Sequence, residues 1–319
     1  MGFHRLAANP ETVKVGVIDA AHPPVLTIES GDQVAIETWS HWAGGVQPGM
    51  TLQDVLALRA AYPIGPHSMT GPIDVTGAEP GMVLRVDVVE LVVGEWGFNV
   101  ALPAPLGRGV LADRFPAGSL RHFRLDRETM TTEFAPGFRL TLAPFLGIMG
   151  VAPPDDGSHS SVAPGPFGGN LDLCDLVVGT TLVLPVFRRG AGFYAGDAHA
   201  LQGDGEVNQT AIETSMQRAH LRLTANSPPV PGLPLLPWAE TPTHLVTIGL
   251  DEDLDLAVRQ AVDALVTHMS ARFDIEEIEA YALASLTADV EVTQAVNRVK
   301  GAHARLPWEI LGLPGPPTA

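Results

Sequence analysis

Residues 83–89 read VLRVDVV, and this stretch decides the class of fold that the chain can adopt. Apolar and polar residues alternate at two-residue steps, which is typical of a half-buried strand. Glu79-Pro80-Gly81 stands just before it, with Pro and Gly where a β-turn needs preset and permissive φ values. Segments of the same kind recur at 25–29, 34–38 and 182–186. The chain up to about residue 190 is therefore predicted to be rich in strands.

Three further segments of this part carry structural predictions. Residues 25–29 and 34–38 are joined by Ser30-Gly31-Asp32 and are predicted to form a hairpin. Residues 51–62 favour one short helix. Residues 97–169 are rich in Gly and Pro, so long irregular loops of the kind that line sites on β scaffolds are expected there.

The last third of the chain changes its hydrophobic period. After a predicted strand at 245–249, apolar residues at 254, 258, 261, 265 and 269 recur at three- and four-residue steps, which predicts an amphipathic helix with Asp251 at its N-terminus. Asp274 and Glu277 approximate a capping box for a second helix over 275–285. The predicted fold is mainly β with an α+β C-terminal region. Residues 1–190 are expected to form a β-rich body with long site loops, and residues 191–319 a site motif followed by the α+β region.

Composition and charge exclude several classes of protein. The 319 residues are 45% hydrophobic and 17% charged, as in a globular protein. A formal charge of −17 would repel phosphate backbones and anionic lipids, so neither nucleic acid nor a membrane surface is an expected partner. There is a single cysteine, no signal-peptide pattern near the N-terminus and no apolar run long enough to cross a bilayer. These features predict a soluble, cytoplasmic protein.

The absence of several catalytic residues and motifs limits the reaction mechanisms that the chain could use. The only lysines are Lys14 and Lys300, so amidase mechanisms that need an internal lysine beside Ser or Cys are disfavoured. No G-x-S-x-G nucleophile elbow, P-loop or dinucleotide fingerprint occurs. Cys174 lies among apolar neighbours, which is more typical of a core residue than of a nucleophile. Metal- or carboxylate-assisted hydrolysis, or a binding function, remains.

The densest polar segment is 196–206, GDAHALQGDGE. If the backbone is extended at Asp197 and His199, their spacing places both side chains on one face, where a carboxylate and an imidazole could bind a divalent ion such as Zn²⁺. A solvated turn is the alternative explanation. Asp172, in 167–172 (FGGNLD), could also be a ligand, although Gly-Gly-Asn alone also suits a simple turn. His67, between prolines, could coordinate an ion or be structural, and Glu37 is a further acidic candidate.

Five segments between residues 65 and 206 resemble, in their order along the chain, the motifs of the acetamidase/formamidase family. The resemblance implies a β-sandwich-like body with an α+β extension, hydrolysis of short linear amides to a carboxylate and ammonia, a divalent metal near the site, a small amide as substrate and a homo-oligomer. The segments are 65–73 (GPHSMTGPI), 77–84 (GAEPGMVL), 145–153 (FLGIMGVAP), 168–172 (GGNLD) and 196–206.

The resemblance also implies roles for individual residues. It points to four metal or substrate ligands and to Glu206 as acid/base; the four are His67, Asp172, Asp197 and His199. Many family members have a histidine directly before Gly-Gly-Asn, where this chain has Phe167. That departure could mean an altered metal shell, a more apolar acyl pocket or a different substrate.

A mechanistic hypothesis follows. Asp172, Asp197 and His199 would hold the ion, most simply zinc with calcium as the alternative, and Glu206 would shuttle the proton to the departing nitrogen. Asn170 and the 168–169 backbone would hydrogen-bond the developing oxyanion. Two alternatives stay open: a hydrolase of a larger amide-type substrate, roofed by 97–169, and a non-catalytic β protein that binds a small molecule or a metal.

Overall fold

A computed structural model describes residues 1–227, 233 and 235–316. Strands are the main secondary structure, and the helices of the described part are α1 (His41–Gly44), α2 (Leu52–Ala61), α3 (Leu254–Phe273), α4 (Glu277–Thr287) and a 3₁₀ turn at Trp308–Leu311. The strands are β1 (Phe3–Leu6), β2 (Val13–Val15), β3 (Val17–Asp19), β4 (Leu26–Glu29), β5 (Gln33–Thr38), β6 (Ser68–Thr76), β7 (Val83–Val93), β8 (Trp96–Ala101), β9 (Ser119–Arg124), β10 (Thr131–Ala135), β11 (Phe138–Thr141), β12 (Phe145–Gly150), β13 (Ser158–Ser160), β14 (Gly168–Asn170), β15 (Thr181–Pro185), β16 (Phe193–His199), β17 (Glu213–Thr214), β18 (Met216–Asn226), β19 (Trp238–Glu240), β20 (His244–Asp251), β21 (Asp289–Gln294) and β22 (Lys300–Pro307).

Two large sheets organise the described residues. The first has the order β1-β5-β18-β7-β15-β19-β20-β22-β21 and is antiparallel except where β1 runs parallel to β5. The second has the order β14-β12-β16-β17-β8-β9, and β6 joins it by pairing with β16, β2 and β4. Two short two-stranded sheets, β10-β11 and β13-β3, accompany them.

The main hydrophobic core draws on both large sheets. Val86 and Leu221 of the first sheet and Ile73 and Ile148 of the second belong to one cluster of buried apolar side chains. A second cluster lies where α3 and α4 cover the β20–β22 end of the first sheet, with Leu265 and Leu306 fully buried. The prediction of a mainly β fold with a helical C-terminal region is confirmed. None of the described helices is long and apolar enough to cross a bilayer.

The predicted hairpin at 25–38 is wrong, although both of its strands exist. β4 runs parallel to β6 in the second sheet, whereas β5 pairs with β1 and β18 in the first. The turn at 30–32, with Gly31 at φ +90°, therefore carries the chain from one sheet to the other. Ile28 and Ile36 are both buried, so each strand packs into the core from its own sheet.

The segment 97–169 is more regular than expected, since it contains the strands β9 to β14. A long connection of the expected kind is present at residues 102–118, between β8 and β9. The apolar stretch of β12 (FLGIMG) is buried along its whole length. Its glycines resemble turn signals in the sequence, but here they allow close packing between β14 and β16 in the second sheet.

The helices are confirmed, with different residues at their ends. Thr51 and Asp54 form a capping box at the start of α2. α3 is capped by Asp253, whose side chain accepts from the Asp255 N–H, while Asp251 accepts from the Asp253 N–H instead. Asp274 ends α3 in the left-handed conformation and does not cap α4. Both large sheets contain strands from before and after residue 190, and the proposed division there stays a prediction.

Candidate metal and catalytic site

The second sheet brings the candidate residues of the chain together. Asp197 and His199 lie on β16, and His67 stands directly before β6, which pairs with β16 on one side. Glu213 lies on β17, which also pairs with β16, directly opposite His199. Side chains that are far apart in the sequence therefore meet because their strands are neighbours. All four side chains are buried.

Asp197 lies at the centre of this polar cluster. Its Oδ1 is 2.8 Å from His41 Nε2, and its Oδ2 is 3.5 Å from His199 Nε2 and 3.8 Å from His67 Nε2. Glu213 Oε2 is 3.2 Å from both His41 Nε2 and His199 Nε2. His67 Nδ1 is held by the Ser161 hydroxyl at 2.8 Å. Each imidazole thus faces at least one carboxylate.

Asp172 and Glu206 extend the cluster on the other side of His199. Asp172 Oδ1 is 3.9 Å from His199 Nδ1, and ligand atoms of Asp172, His199 and Glu206 all lie within 4.8 Å of one another. Asn297 donates from Nδ2 to Asp172 Oδ2, and Gln202 Nε2 donates to the Asp172 carbonyl oxygen at 2.8 Å. Two amide side chains therefore fix the position of Asp172.

Three carboxylate residues of the site have a left-handed backbone. Asp172, Asp197 and Glu206 have φ values of 51°, 54° and 45°. The condition of an extended backbone at Asp197 is therefore not met, yet its side chain still meets that of His199. Such backbone strain costs on the order of 1–3 kcal/mol per residue and persists only where the surrounding structure enforces it. Three occurrences in one cluster are typical of a functional site.

Gly147 of β12 lies where the side chains converge. A Cβ on this residue would stand 2.5 Å from Asp172 Oδ1, 2.7 Å from His199 Cε1 and 2.8 Å from Asp197 Oδ2. All three distances are below ordinary contact. The ligand-type atoms therefore surround a space that only a glycine leaves free.

The pKa values of the carboxyl groups diverge. Burial, together with the neighbouring Asp197 charge, raises the pKa of Asp172 to about 7, even though His199 and Asn297 favour its ionised form. Burial and the Asp172 charge also raise the pKa of Glu206 well above its usual range. Burial acts in the same direction on Asp197, but the nearby His67 and His199 outweigh it and hold its pKa well below the usual range.

The pKa values of the histidine side chains also shift in different directions. Burial lowers the pKa of His67 to about 4, because the attraction of Asp197 only partly offsets the lost hydration. Burial also disfavours the charged form of His199, but Glu213 and Asp197 outweigh it and raise the pKa well above its usual value. In His41, burial is similarly outweighed by Glu213 and Asp197, and the pKa is raised. The charged form is thus favoured at His41 and His199 and disfavoured at His67.

The residues fit a divalent cation. Asp172 Oδ1, both ring nitrogens of His199 and Glu206 Oε2 are buried without a hydrogen-bond partner, although carboxylate oxygens stand 3.2–3.9 Å from the His199 nitrogens. Buried polar atoms are rarely left unpaired unless a ligand satisfies them. Imidazole and carboxylate ligands suit zinc and related ions. The groups of mutually close ligand atoms around His199 and Asp197 are Asp172/His199/Glu206, Asp197/His199/Glu213 and His41/His67/Asp197.

Other residues singled out in the sequence lie outside these ligand groups. Asn170 is buried; its Nδ2 donates to the Val162 carbonyl oxygen at 3.2 Å, and its Oδ1 has no partner. The Gly168 N–H donates to the Gly165 carbonyl oxygen. Phe167 packs in the main core with its ring 5.6 Å from that of His159.

Two more candidates are accounted for by their surroundings. Glu37 is exposed on β5, where its carboxylate accepts from the Ala8 N–H. Burial raises the pKa of Cys174 to about 12, and its Sγ lies 3.5 Å from Asp204 Oδ1, so a thiolate nucleophile is disfavoured.

Sequence reasoning missed four residues of the site: His41, Glu213, Asn297 and Gly147. None of them stands in a segment with a metal-ligand spacing. His41 follows Trp39-Ser40 shortly after a predicted strand, and Glu213 lies seven residues after Glu206. A search for every His and Glu close to a predicted strand end could have included His41, whereas no strand was predicted near Glu213. Gly147 lies in the segment 145–153 that carries part of the family resemblance, but nothing there singled out this glycine, and Asn297 has no signal of either kind.

A cavity of about 100 Å³ reaches this cluster from the surface. His41, His67 and Asn297 line it at the site, and apolar side chains such as Trp42 and Val162 line its walls. Drug-sized ligands use pockets of roughly 300–1,000 Å³, so this cavity suits a small substrate.

Comparison with known proteins agrees with this arrangement. The family model described as the acetamidase/formamidase family matches residues 18–160 and 155–311. The chain therefore belongs to the acetamidase/formamidase family. The resemblance inferred from the five sequence motifs is confirmed.

Individual relatives carry related names. The chain is 27% identical to an acetamidase of Mycolicibacterium smegmatis over 58% of its own length and 59% of the relative. It is 25% identical to a formamidase of Methylophilus methylotrophus, over 57% of that relative. The chain thus spans less than two thirds of the length of these curated relatives.

Solved structures match over nearly the whole chain. A crystal structure of acetamidase from Bacillus halodurans superimposes with a TM-score of 0.86 at 30% identity, covering 97% of this chain and 100% of that one. A predicted acetamidase/formamidase from Thermoanaerobacter tengcongensis gives a TM-score of 0.84 at 27% identity, covering 98% and 97%.

Proposed function

We propose that this protein hydrolyses the C–N bond of short linear amides to a carboxylate and ammonia. The observation that supports this most directly is the buried cluster in which Asp172, Asp197 and His199 converge above Gly147. The family membership and the acetamidase and formamidase names of the relatives support the substrate class. The small volume of the cavity fits substrates of this size.

In this proposal Asp172, Asp197, His199 and His67 hold a divalent ion, most simply zinc, with calcium as the alternative. Bound there, such an ion would supply positive charge that polarises an amide carbonyl and would lower the pKa of a bound water to about 7. The ordered carboxylates of Asp172 and Asp197 keep this charge in place, and Asn297 orients Asp172.

Glu206 has the role of proton carrier. Burial and Asp172 raise the pKa of its carboxyl group, and its Oε2 has no hydrogen-bond partner. A carboxyl group with a raised pKa both accepts and returns a proton more readily near neutral pH. In our proposal it takes a proton from the attacking water and delivers it to the departing nitrogen, which otherwise leaves poorly.

Asn170 is proposed to stabilise the oxyanion. One N–H of its amide group is engaged by the Val162 carbonyl oxygen, which leaves the second available. Because the Gly168 N–H is already engaged, Asn170 carries more of this role than the 168–169 backbone does.

The test combines metal analysis with an ammonia-release assay on acetamide and formamide. We expect bound divalent metal in the purified protein, loss of activity with a chelator and recovery on adding zinc. Glu206→Gln should lower kcat by about 10²- to 10⁴-fold with the metal content retained. Glu252→Gln, the same change at an exposed position, is the control and should retain wild-type activity. Full activity in metal-free protein would contradict the role of the ion.

The non-catalytic alternative gives a different result in the same experiments. A metal-replete protein that binds acetamide in calorimetry but releases no ammonia from any amide would be a binding protein. The cytoplasmic location and the homo-oligomeric state stay predictions; equilibrium sedimentation of the purified protein measures the oligomeric state.

A further inference from the structure

The mouth of the site cavity is positively charged. Arg59, Arg108 and Arg298 all line the cavity that reaches His41 and His67. We call these three residues the arginine mouth. Among the residues that the structure describes, no Asp or Glu lines this cavity. The chain as a whole has 19 Lys and Arg against 36 Asp and Glu, so a cavity lined only by cationic charge differs sharply from the average surface.

The three guanidinium groups of the arginine mouth are unpaired within the described part of the chain. In residues 1–227, 233 and 235–316, none of the three makes an ion pair or a side-chain hydrogen bond, whereas eight other arginines pair with carboxylates. Planar guanidinium groups bind carboxylate bidentately and specifically. The arginine mouth is therefore free to bind an anionic group.

Local structure places the three arginines from three separate elements. Arg59 lies in the last turn of α2, and the Arg108 N–H is held by Gln209 Oε1 at 2.8 Å. Arg298 has a φ of 67° in the turn between β21 and β22, directly after Asn297, which contacts Asp172. Arg298 of the arginine mouth and Asn297, which contacts Asp172, thus lie in the same short loop.

A neutral amide such as acetamide offers these guanidinium groups a carbonyl oxygen but no negative charge. Positive potential focused in a cavity with apolar walls attracts and orients anions. Resting on the proposed amide hydrolysis, we propose that the preferred substrates are short amides that carry a carboxylate at the end opposite the amide, that is, monoamides of small dicarboxylic acids. The arginine mouth binds the free carboxylate while the amide reaches the Asp172–His199 end of the site.

The test uses three amides of similar length and different charge: succinamate (anionic), butanamide (neutral) and 4-aminobutanamide (cationic). We expect kcat/KM to fall in that order, with succinamate exceeding butanamide on the order of tenfold or more, which corresponds to about 1.4 kcal/mol. The preference should shrink as salt is raised, because exposed charges are screened.

Substitutions of the three arginines test whether these residues cause the preference for succinamate. Arg298→Gln, Arg108→Gln and Arg59→Gln should each lower the ratio of kcat/KM for succinamate to that for butanamide by about threefold or more, an effect of the size expected for a single charge-assisted contact. The ratio is the readout because general damage lowers both values alike. Arg259→Gln removes the same charge from an exposed face of α3 and should keep the wild-type ratio.

The outcomes separate this inference from the proposed function. If butanamide is hydrolysed as well as or better than succinamate, the inference is overturned and the amidase proposal stands. If the arginine variants change only inhibition by the carboxylate product, the inference is also overturned. If no amide of the three, nor acetamide or formamide, releases ammonia, the proposed function itself fails.

Discussion

Gly147 is the residue whose lack of a side chain matters most for this site. The space that its missing Cβ leaves is bordered by Asp172 Oδ1, His199 Cε1 and Asp197 Oδ2, all within 2.8 Å of the position that a Cβ would take. Because β12 is buried along its whole length and pairs with β14 on one side and β16 on the other, the strand has little room to move away. A single methyl group would therefore displace the ligand-type atoms rather than the backbone.

We accordingly expect Gly147→Ala to reduce both metal content and amide hydrolysis. A misplacement of about 1 Å in such a constellation costs on the order of 10²-fold in rate. The measurement is metal stoichiometry by elemental analysis together with kcat/KM for acetamide.

Gly203→Ala is the matched control. Gly203 lies in the loop between His199 and Glu206, and a Cβ there has no atom within 4 Å. It should retain wild-type metal content and activity. Wild-type values in Gly147→Ala itself would show that the site does not depend on this close approach.

At the level of secondary structure, α2 carries part of the cavity wall. Arg59 in its last turn and Tyr62 just after it both line the cavity, and its first turn is closed by the reciprocal bonds of Thr51 and Asp54. α2 is 10 residues long and buries only Val55 fully, so the cap contributes a large share of its stability.

Thr51→Ala should therefore destabilise the protein by about 1 kcal/mol, because the N–H of Asp54 loses its side-chain acceptor. Urea unfolding followed by circular dichroism measures the effect. Gln53→Ala, an exposed substitution in the same turn, should change stability by less than about 0.5 kcal/mol. Equal effects of the two substitutions would contradict the role given to the cap.

For the whole molecule, the junction of α3 with the first sheet predicts sensitivity to acid. His268 of α3 is buried with its ring 4.7 Å from that of Trp238, and its Nδ1 has no hydrogen-bond partner. Burial, helped by the charge of Arg272, lowers its pKa from 6.5 to about 3. The folded protein therefore holds this imidazole neutral.

The sign of the effect follows from proton linkage. Between pH 6.5 and about 3 the unfolded chain binds a proton at His268 that the folded chain does not, so stability falls as pH falls through this window. The slope from this group is at most about 1.4 kcal/mol per pH unit.

His268→Leu should flatten this dependence, and thermal or urea unfolding between pH 6.5 and 4.5 measures it. The substitution His22→Leu removes an imidazole that is only half-buried and should leave the wild-type slope. An unchanged slope in His268→Leu would assign the acid sensitivity to other groups.

Local sequence patterns predicted a large part of the fold. The alternation at 83–89 became β7, and the three- and four-residue steps from Leu254 to Met269 became α3. These predictions succeeded because strand and helix periods depend on which face of a single element is buried. Element ends were less predictable, as Asp253 rather than Asp251 caps α3. Asp251 and Asp253 are both acidic residues close to the start of α3, and only the backbone conformation decides which of them caps the helix.

Five of the residues singled out for the site lie in one cluster, and they could be singled out because their motifs are local: His67, Asp172, Asp197, His199 and Glu206. Their roles stay proposals. Pairing of β6, β16 and β17 decided their meeting, and it also brought in His41 and Glu213. The hairpin expected at 25–38 failed for the same reason, since strand partners are chosen by contacts across the whole molecule.

The alternating patterns, the glycine-rich acidic motifs and the negative charge were properties of the chain, readable because each depends on residues that are near neighbours. The open space above Gly147, the left-handed conformations of Asp172 and Asp197, and the convergence of three arginines on one cavity arose only on folding. Each of these depends on distances between segments that are tens to hundreds of residues apart, and such distances are set by the packing of two sheets rather than by any local preference.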